Sequence, residues 1–353
     1  MTPASSLRAV VLALAGLALA AAASAALEPL EPAREGRALL ELESPRGLRV
    51  GDTGFVIGGF ATVEADRLEH GGSHGGVEGL NFFLFYDPAP FVRLFSEVSL
   101  RDLGDVESGR EGVRSAPRVD LDRLYADLGS SDQARLRVGQ FLTPFGLWSP
   151  VQADPLVWTT SEPLIIEGVF DDTTTGAMLH GAAFRDRGAL SFGVYGTFLD
   201  EVTAPADAPP AHYTAGARLE WASLAGWSLG TSYVAAERRR GTWNHLGGVD
   251  AMWRPREGIE LTAEALFGKG ARAARQEWGL YVQGVVETVR TVYAVARYER
   301  FDPPDRTDAL DLFDVGVAWV PIYCLRLKVD YRFARQTENL SAAGLRASFS
   351  VLF

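Results

Sequence analysis

Leu325-Arg326-Leu327-Lys328-Val329-Asp330-Tyr331-Arg332-Phe333 sets the pattern for most of the chain. Leu325, Leu327, Val329, Tyr331 and Phe333 share one parity; Arg326, Lys328, Asp330 and Arg332 share the other. Successive side chains of a strand point to opposite faces, so this is a strand with one apolar and one charged face. The closing segment repeats the reading. Leu345, Ala347, Phe349, Val351 and Phe353 alternate with Arg346, Ser348 and Ser350. Further back, Arg135 and Arg137 alternate with Leu136 and Val138, and Glu260 and Glu264 with Ile259, Leu261 and Ala263. From Phe55 to Phe353 the pattern gives about 16 strands, with a bulge expected near Arg123 where the alternation slips.

The connections alternate in length. Asp87–Pro90, Ala222–Ala225 and Val320–Tyr323 are short, whereas Arg67–Gly79, Gly104–Pro117 and Leu199–Ala211 are long. Short turns on one rim and long loops on the other describe an outer-membrane barrel. Trp221, Trp227, Trp253 and Trp319 flank short turns with the parity of the apolar face, as an interfacial girdle does. The faces separate a membrane barrel from a soluble sheet. Val, Leu, Ala and Phe mid-strand, with aromatics towards the ends, suit hydrocarbon bounded by two interfaces. A strand crosses in about 9–11 residues. A sheet edge facing lipid is not viable, so the sheet must close. The expected class is all-β: a transmembrane antiparallel β-barrel with a long loop folded inward. A soluble β-rich exported chain is the competing reading.

Residues 1–25 read as a signal peptide: Arg8, an apolar run from Ala9 to Ala23, then Ala23-Ser24-Ala25 as the cleavage site. Residues 26–53 form an N-terminal segment whose only expected element is a short helix over Ala33–Leu42. Residues 54–353 are the barrel. No later segment is a run of about 18 apolar residues, which excludes a transmembrane helix. Without Arg8 the net charge is about −12; that balance, and the lack of a basic block, argue against nucleic acid as a partner. Cys324 is the single cysteine, so neither an internal disulfide nor a cysteine metal site is expected.

One stretch breaks the rhythm. VGQFLTPFGLWSPVQADPLVWTTSEPLIIEGVFDD, residues 138–172, carries Pro144, Pro150, Pro155 and Pro163, which cannot all sit in a sheet interior. Long loops in short-looped chains are functional or disordered, and the prolines and aromatics here argue for order. The stretch reads as a loop inside the lumen. Trp158, Glu162, Glu167, Asp171 and Asp172 are its expected constriction residues. Opposite them, Arg326, Lys328, Arg332 and Arg346 form a basic ladder on two neighbouring strands. Rows of unlike sign across a narrow water path filter solutes by charge and dipole.

Two stretches resemble a known family. The terminal strand ending in Phe353 resembles the signal by which outer-membrane barrels are recognised for assembly. Arg137-Val138-Gly139-Gln140-Phe141-Leu142-Thr143-Pro144-Phe145-Gly146 resembles the strand and Pro-x-Gly turn that lead into the inner loop of phosphate-selective-type porins. No anion-binding motif of that family matches here residue by residue. The resemblance implies a 16-stranded, trimeric, passive channel. Expected partners are outer-membrane lipid, the barrel-assembly machinery and small hydrophilic solutes. No enzyme is expected, since His70, His74, His180, His212 and His245 join no catalytic motif, and no cofactor or metal either. The alternatives are a solute-specific, anion-preferring channel and a non-conducting structural or adhesive barrel.

Overall fold

The computed structural model describes residues 40–43, 46–69, 72–108, 112–166, 169–170, 172–197, 213–239, 242–270, 276–303, 309–334 and 343–353. The signal segment and the constriction residues Glu167 and Asp171 lie outside the described residues. Two short strands, β1 (Leu40–Glu43) and β2 (Gly47–Val50), precede β3 (Phe55–Leu68). Then follow β4 (Ser73–Ala89), β5 (Val92–Glu107), β6 (Arg118–Ser131), β7 (Ala134–Leu142), β8 (Thr173–Arg185), β9 (Gly188–Thr197) and β10 (Tyr213–Ser223). The last eight are β11 (Trp227–Arg239), β12 (Thr242–Arg256), β13 (Ile259–Gly270), β14 (Glu277–Val289), β15 (Val292–Asp302), β16 (Leu310–Ile322), β17 (Leu325–Ala334) and β18 (Gly344–Leu352).

Each strand from β3 to β18 pairs antiparallel with the next, and β18 returns to β3 through Leu345↔Arg67 to Leu352↔Phe60. The result is a closed barrel of 16 strands, as the alternation predicts. Closure leaves no lipid-facing edge. Leu84, Leu124, Val249, Leu261 and Val315 are exposed on the outer face, where hydrocarbon replaces the protein core. Trp227, Trp253 and Trp319 are exposed near the short turns, and Trp227 stands opposite Trp253 in the register. The expected bulge is present: Glu97 faces Arg123, but Val98 faces Leu121, leaving Asp122 extra.

Two expectations are corrected. The predicted loops Arg67–Gly79 and Gly104–Pro117 are partly strand, because β4 begins at Ser73 and β5 runs on to Glu107. Gly75 and Gly76 pair with Ala65 and Glu64. Above the lipid both faces meet water, so pairing continues without an apolar signature. The helix expected over Ala33–Leu42 is contradicted at its described end, where Leu40–Glu43 is strand.

The β1–β2 hairpin completes the seam. Phe353 and Gly59 exchange both backbone hydrogen bonds at 2.9 Å, and there the C-terminal strand ends. β2 takes up the remaining edge of β3 through Leu48↔Ile57 and Arg49↔Val56. An unpaired edge is a template for unwanted pairing, and the hairpin covers it. Gly47 makes the approach possible. Its φ is +124°, and a Cβ there would collide with the Ile57 carbonyl.

Candidate functional site: the inner loop and the wall that holds it

The segment from Thr143 to Asp172 leaves the wall between β7 and β8 and folds into the barrel. Its neck is closed by Thr143 N donating to the Asp172 carbonyl at 2.8 Å. Beside that bond, the Thr143 and Thr174 hydroxyls lie 3.0 Å apart. Gly146 has φ +64°, and any side chain at that point would collide with the Glu264 carboxylate. Two 3₁₀ turns, Ser149–Val151 and Asp154–Leu156, each carry a proline at the second position, in the first turn where no backbone donor is needed. The prolines that exclude this stretch from a sheet therefore shape its turns.

An apolar cluster fixes the loop to the wall. Phe145, Trp148, Leu164, Ile165, Ile166 and Phe170 of the loop pack on Val234, Leu246, Leu266, Phe301, Leu310 and Leu312 of the strands. Phe145 and Phe170 join its two limbs, with ring centroids 4.8 Å apart. Burying one such side chain stabilises by about 1.5–3 kcal/mol. Leu266, Leu310 and Leu312 point into the barrel and are buried only because the loop covers them.

Polar groups then pin the loop's backbone, a segment that no ladder pairs. Ser232 of β11 accepts from Gly146 N at 3.1 Å, and Glu264 of β13 from Trp148 N at 2.8 Å. Glu299 of β15 accepts from Leu164 N at 2.7 Å. Asp330 of β17 accepts from both the N–H and the hydroxyl of Thr160 at 2.9 Å. Arg297 of β15 donates to the Thr159 hydroxyl at 2.6 Å and to the Ser161 carbonyl at 2.9 Å. The wall thus supplies carboxylate and hydroxyl acceptors to the backbone N–H groups of Gly146, Trp148, Thr160 and Leu164, which no ladder pairs, while the side-chain donors Trp148 Nε1 and Gln152 Nε2 stay buried without a partner among the described residues.

Arg297 is fully buried, and its charge is matched locally. Its Nη2 donates to Asp314 at 2.8 Å. Its Nε lies 2.7 Å from Glu299, close but out of line for a hydrogen bond. Arg332 donates to both oxygens of Asp314, at 2.8 and 3.0 Å. Asp314 thus bridges two guanidinium groups beneath the loop. The register makes this possible, because Arg297, Asp314 and Arg332 stand side by side on β15, β16 and β17.

The structure redistributes the predicted site residues. Trp158 is half-buried; its indole N–H donates to Glu260 at 3.0 Å, its ring lies 4.4 Å from the Arg326 guanidinium, and Tyr293 packs against it at 4.9 Å. Glu162 meets the wall through its backbone carbonyl, 3.4 Å from Arg297, and Asp172 is exposed at the neck. The loop acid that meets the basic ladder is Asp154, whose carboxylate lies 3.7 Å from the Lys328 ammonium. The ladder itself mostly holds the loop. Arg326 donates to the Val157 carbonyl at 2.8 Å, and Lys328 to the Asp154 and Thr159 carbonyls at 3.2 and 3.0 Å. Lys328 and Arg332 are almost wholly buried, while Arg346 is half-buried opposite Asp330.

Sequence reading missed Arg297 and Glu299. Their signal was present: they share one parity within Val292–Asp302, alternating with Ala296, Tyr298 and Arg300. Arg300 and Tyr298 face outward and bind Asp311, so a charge on each face hid the inward pair. The described histidines form no catalytic group. His74 lies 3.4 Å from Asp105, His180 pairs with Asp127 at 3.2 Å and His245 meets the Tyr233 hydroxyl at 2.7 Å. No metal-binding group of three or more His, Cys, Asp or Glu occurs among the described residues.

No protein-family model matches the chain, and neither does any curated protein. Solved structures do. A loop L8 deletion mutant of OmpT, an outer membrane protein of Vibrio cholerae, matches with a TM-score of 0.59 at 13% identity, over 85% of this chain and 99% of that one. OmpF of Salmonella typhi matches with a TM-score of 0.59 at 10% identity, over 86% and 99%. An anion-selective porin from Comamonas acidovorans matches with a TM-score of 0.56 at 11% identity, over 85% and 99%. With its closed 16-stranded wall and apolar outer belt, the chain has the fold of the bacterial outer-membrane porins.

Proposed function

We propose that this barrel is a passive, water-filled channel for small hydrophilic solutes or ions across the outer membrane. The inner loop permanently narrows it. One observation carries the reading: a loop of some thirty residues is folded into the lumen and pinned by side chains of β11, β13, β15 and β17. A barrel serving only as scaffold or adhesin has no use for a polar, inward-pinned loop. The reading is one of transport without chemistry. Proteins with similar folds include a trimer form of OmpT, an outer membrane protein of Vibrio cholerae. We extend that state to this chain, with assembly directed by the strand ending in Phe353.

The anion-preferring alternative loses its main support. Lys328 lies 3.7 Å from Asp154 and Arg332 is forked onto Asp314, so their fields are largely cancelled. Weak selectivity is the expectation. Purified protein in a planar bilayer should give stepwise, ohmic current in potassium chloride, with similar permeability for both ions. Insertion without any current would support a structural barrel instead.

A further inference from the structure

The wall away from the inner loop carries a surface that a plain water channel does not need. Lumen-facing positions of such barrels are polar as a rule. On β4–β6, four aromatic residues face inward: Phe83, Phe85, Phe95 and Tyr125. The register sets them in two adjoining rows. Phe85, Phe95 and Tyr125 stand side by side, next to a row of Phe83, Glu97 and Arg123. Their strand neighbours Leu84, Leu94 and Leu124 are exposed on the outer face, which fixes the inward direction. Neighbouring rings touch, with centroids 4.9 Å apart for Phe85 and Phe95, 5.2 Å for Phe95 and Tyr125, and 5.9 Å for Phe83 and Phe95.

Two guanidinium groups lie on this surface. Arg123 sits 4.7 Å from the Phe95 centroid and 5.7 Å from that of Phe83, and Arg137 sits 3.8 Å over Tyr125. Each is neutralised by a carboxylate: Arg123 by Glu97, and Arg137 by Asp127, which takes two hydrogen bonds at 2.8 Å. Arg46 of the hairpin closes the strip at one end, 5.7 Å over Phe85. The inner loop's cross-lumen hydrogen bonds go to β11, β13, β15 and β17, so the strip is not part of its anchorage.

We propose that this strip is a binding track for small planar aromatic solutes, an assignment that rests on the channel reading and names its substrate class. Guanidinium faces are weakly hydrated and stack on π systems. Ring edges carry positive potential and receive the negative face of a second ring. A flat, electron-rich solute can therefore replace poorly held water on the part-exposed faces of Arg123, Arg137, Phe83 and Phe85, with the buried Phe95 backing Arg123 from below. Saccharides fit less well. They need free donors and acceptors for their hydroxyls, and here the arginines and carboxylates already satisfy one another.

The test is current block in single open channels by benzoate and by cyclohexanecarboxylate, which have equal charge and similar size but differ in the flat π face. Benzoate should reach half-block at a concentration about fivefold lower, the factor expected for one aromatic contact. Arg123→Lys keeps the charge and removes the flat face, so the two half-blocking concentrations, each measured against that variant's own open-channel current, should converge. Tyr125→Leu should do the same, and serves if the lysine variant fails to assemble. Equal block of the wild type by both probes overturns the assignment and leaves the channel intact. So does block by maltose below the benzoate concentration, or discrimination that persists in a conducting variant. A protein that inserts without any current overturns the channel reading and this assignment together.

Discussion

At the scale of single residues, Arg297 is the group on which the loop's position depends most. It reaches the loop through Thr159 and Ser161 and the wall through Asp314. Arg297→Met should leave Glu299 and Asp314 buried with less compensation, a defect of about 3–5 kcal/mol in other buried pairs. The barrel's pairing does not depend on this side chain, so the penalty should appear as release of the loop. The expected readout is faster protease cleavage within residues 149–166 of the folded barrel; unchanged cleavage would mean that the apolar cluster alone holds the loop. Asp330→Asn keeps one acceptor for the Thr160 N–H and should cost only about 1 kcal/mol, with little change in cleavage. Lys328→Glu with Arg332→Glu tests whether the basic ladder sets ion preference. With both cations buried under the loop, its main effect should be higher conductance, and the shift in reversal potential should be small. A large shift at unchanged conductance would restore the ladder as a selectivity device.

At the scale of elements, the strands were legible because lipid outside and water inside impose opposite demands on alternate residues. Leu325–Phe333 obeys both and is strand from Leu325 to Ala334. The reading weakened wherever one demand lapsed. Ser73–Gly79 lies above the lipid and reads as loop, although it pairs with β3 and β5. The β1–β2 hairpin has four residues a strand, too short for any period to register. The inner loop was legible as an inward fold, from its prolines and aromatics. Its partners were not, because a backbone N–H such as that of Leu164 carries no trace in sequence of the Glu299 that receives it. Gly47→Val tests the hairpin. Its φ of +124° and the nearby Ile57 carbonyl leave no room for a side chain. The hairpin should undock while the barrel stays closed, so trypsin should cut more readily at Arg46 and Arg49. Equal cutting in both proteins would show that β2 does not need the β3 edge.

At the scale of the whole molecule, the barrel holds two unlike walls. The β11–β17 side is covered by the loop and closed to water by Phe145, Ile165, Leu266 and their neighbours. The β4–β7 side keeps arginines, carboxylates and aromatic rings facing inward. Solutes would therefore pass along one wall rather than down the axis. If the chain trimerises, mild-detergent extracts should contain a species of three subunits that heat converts to monomers; a monomer under all mild conditions would remove that part of the proposal. The central claim is that the loop narrows the water path. The most direct measurement is single-channel conductance of a barrel lacking residues 149–167, compared with the full chain in the same salt. The loop occupies one side of the lumen, so conductance should rise clearly in a variant that still shows heat-dependent gel mobility. The same conductance in such a folded variant would contradict the account, since the loop would then lie outside the path that ions take.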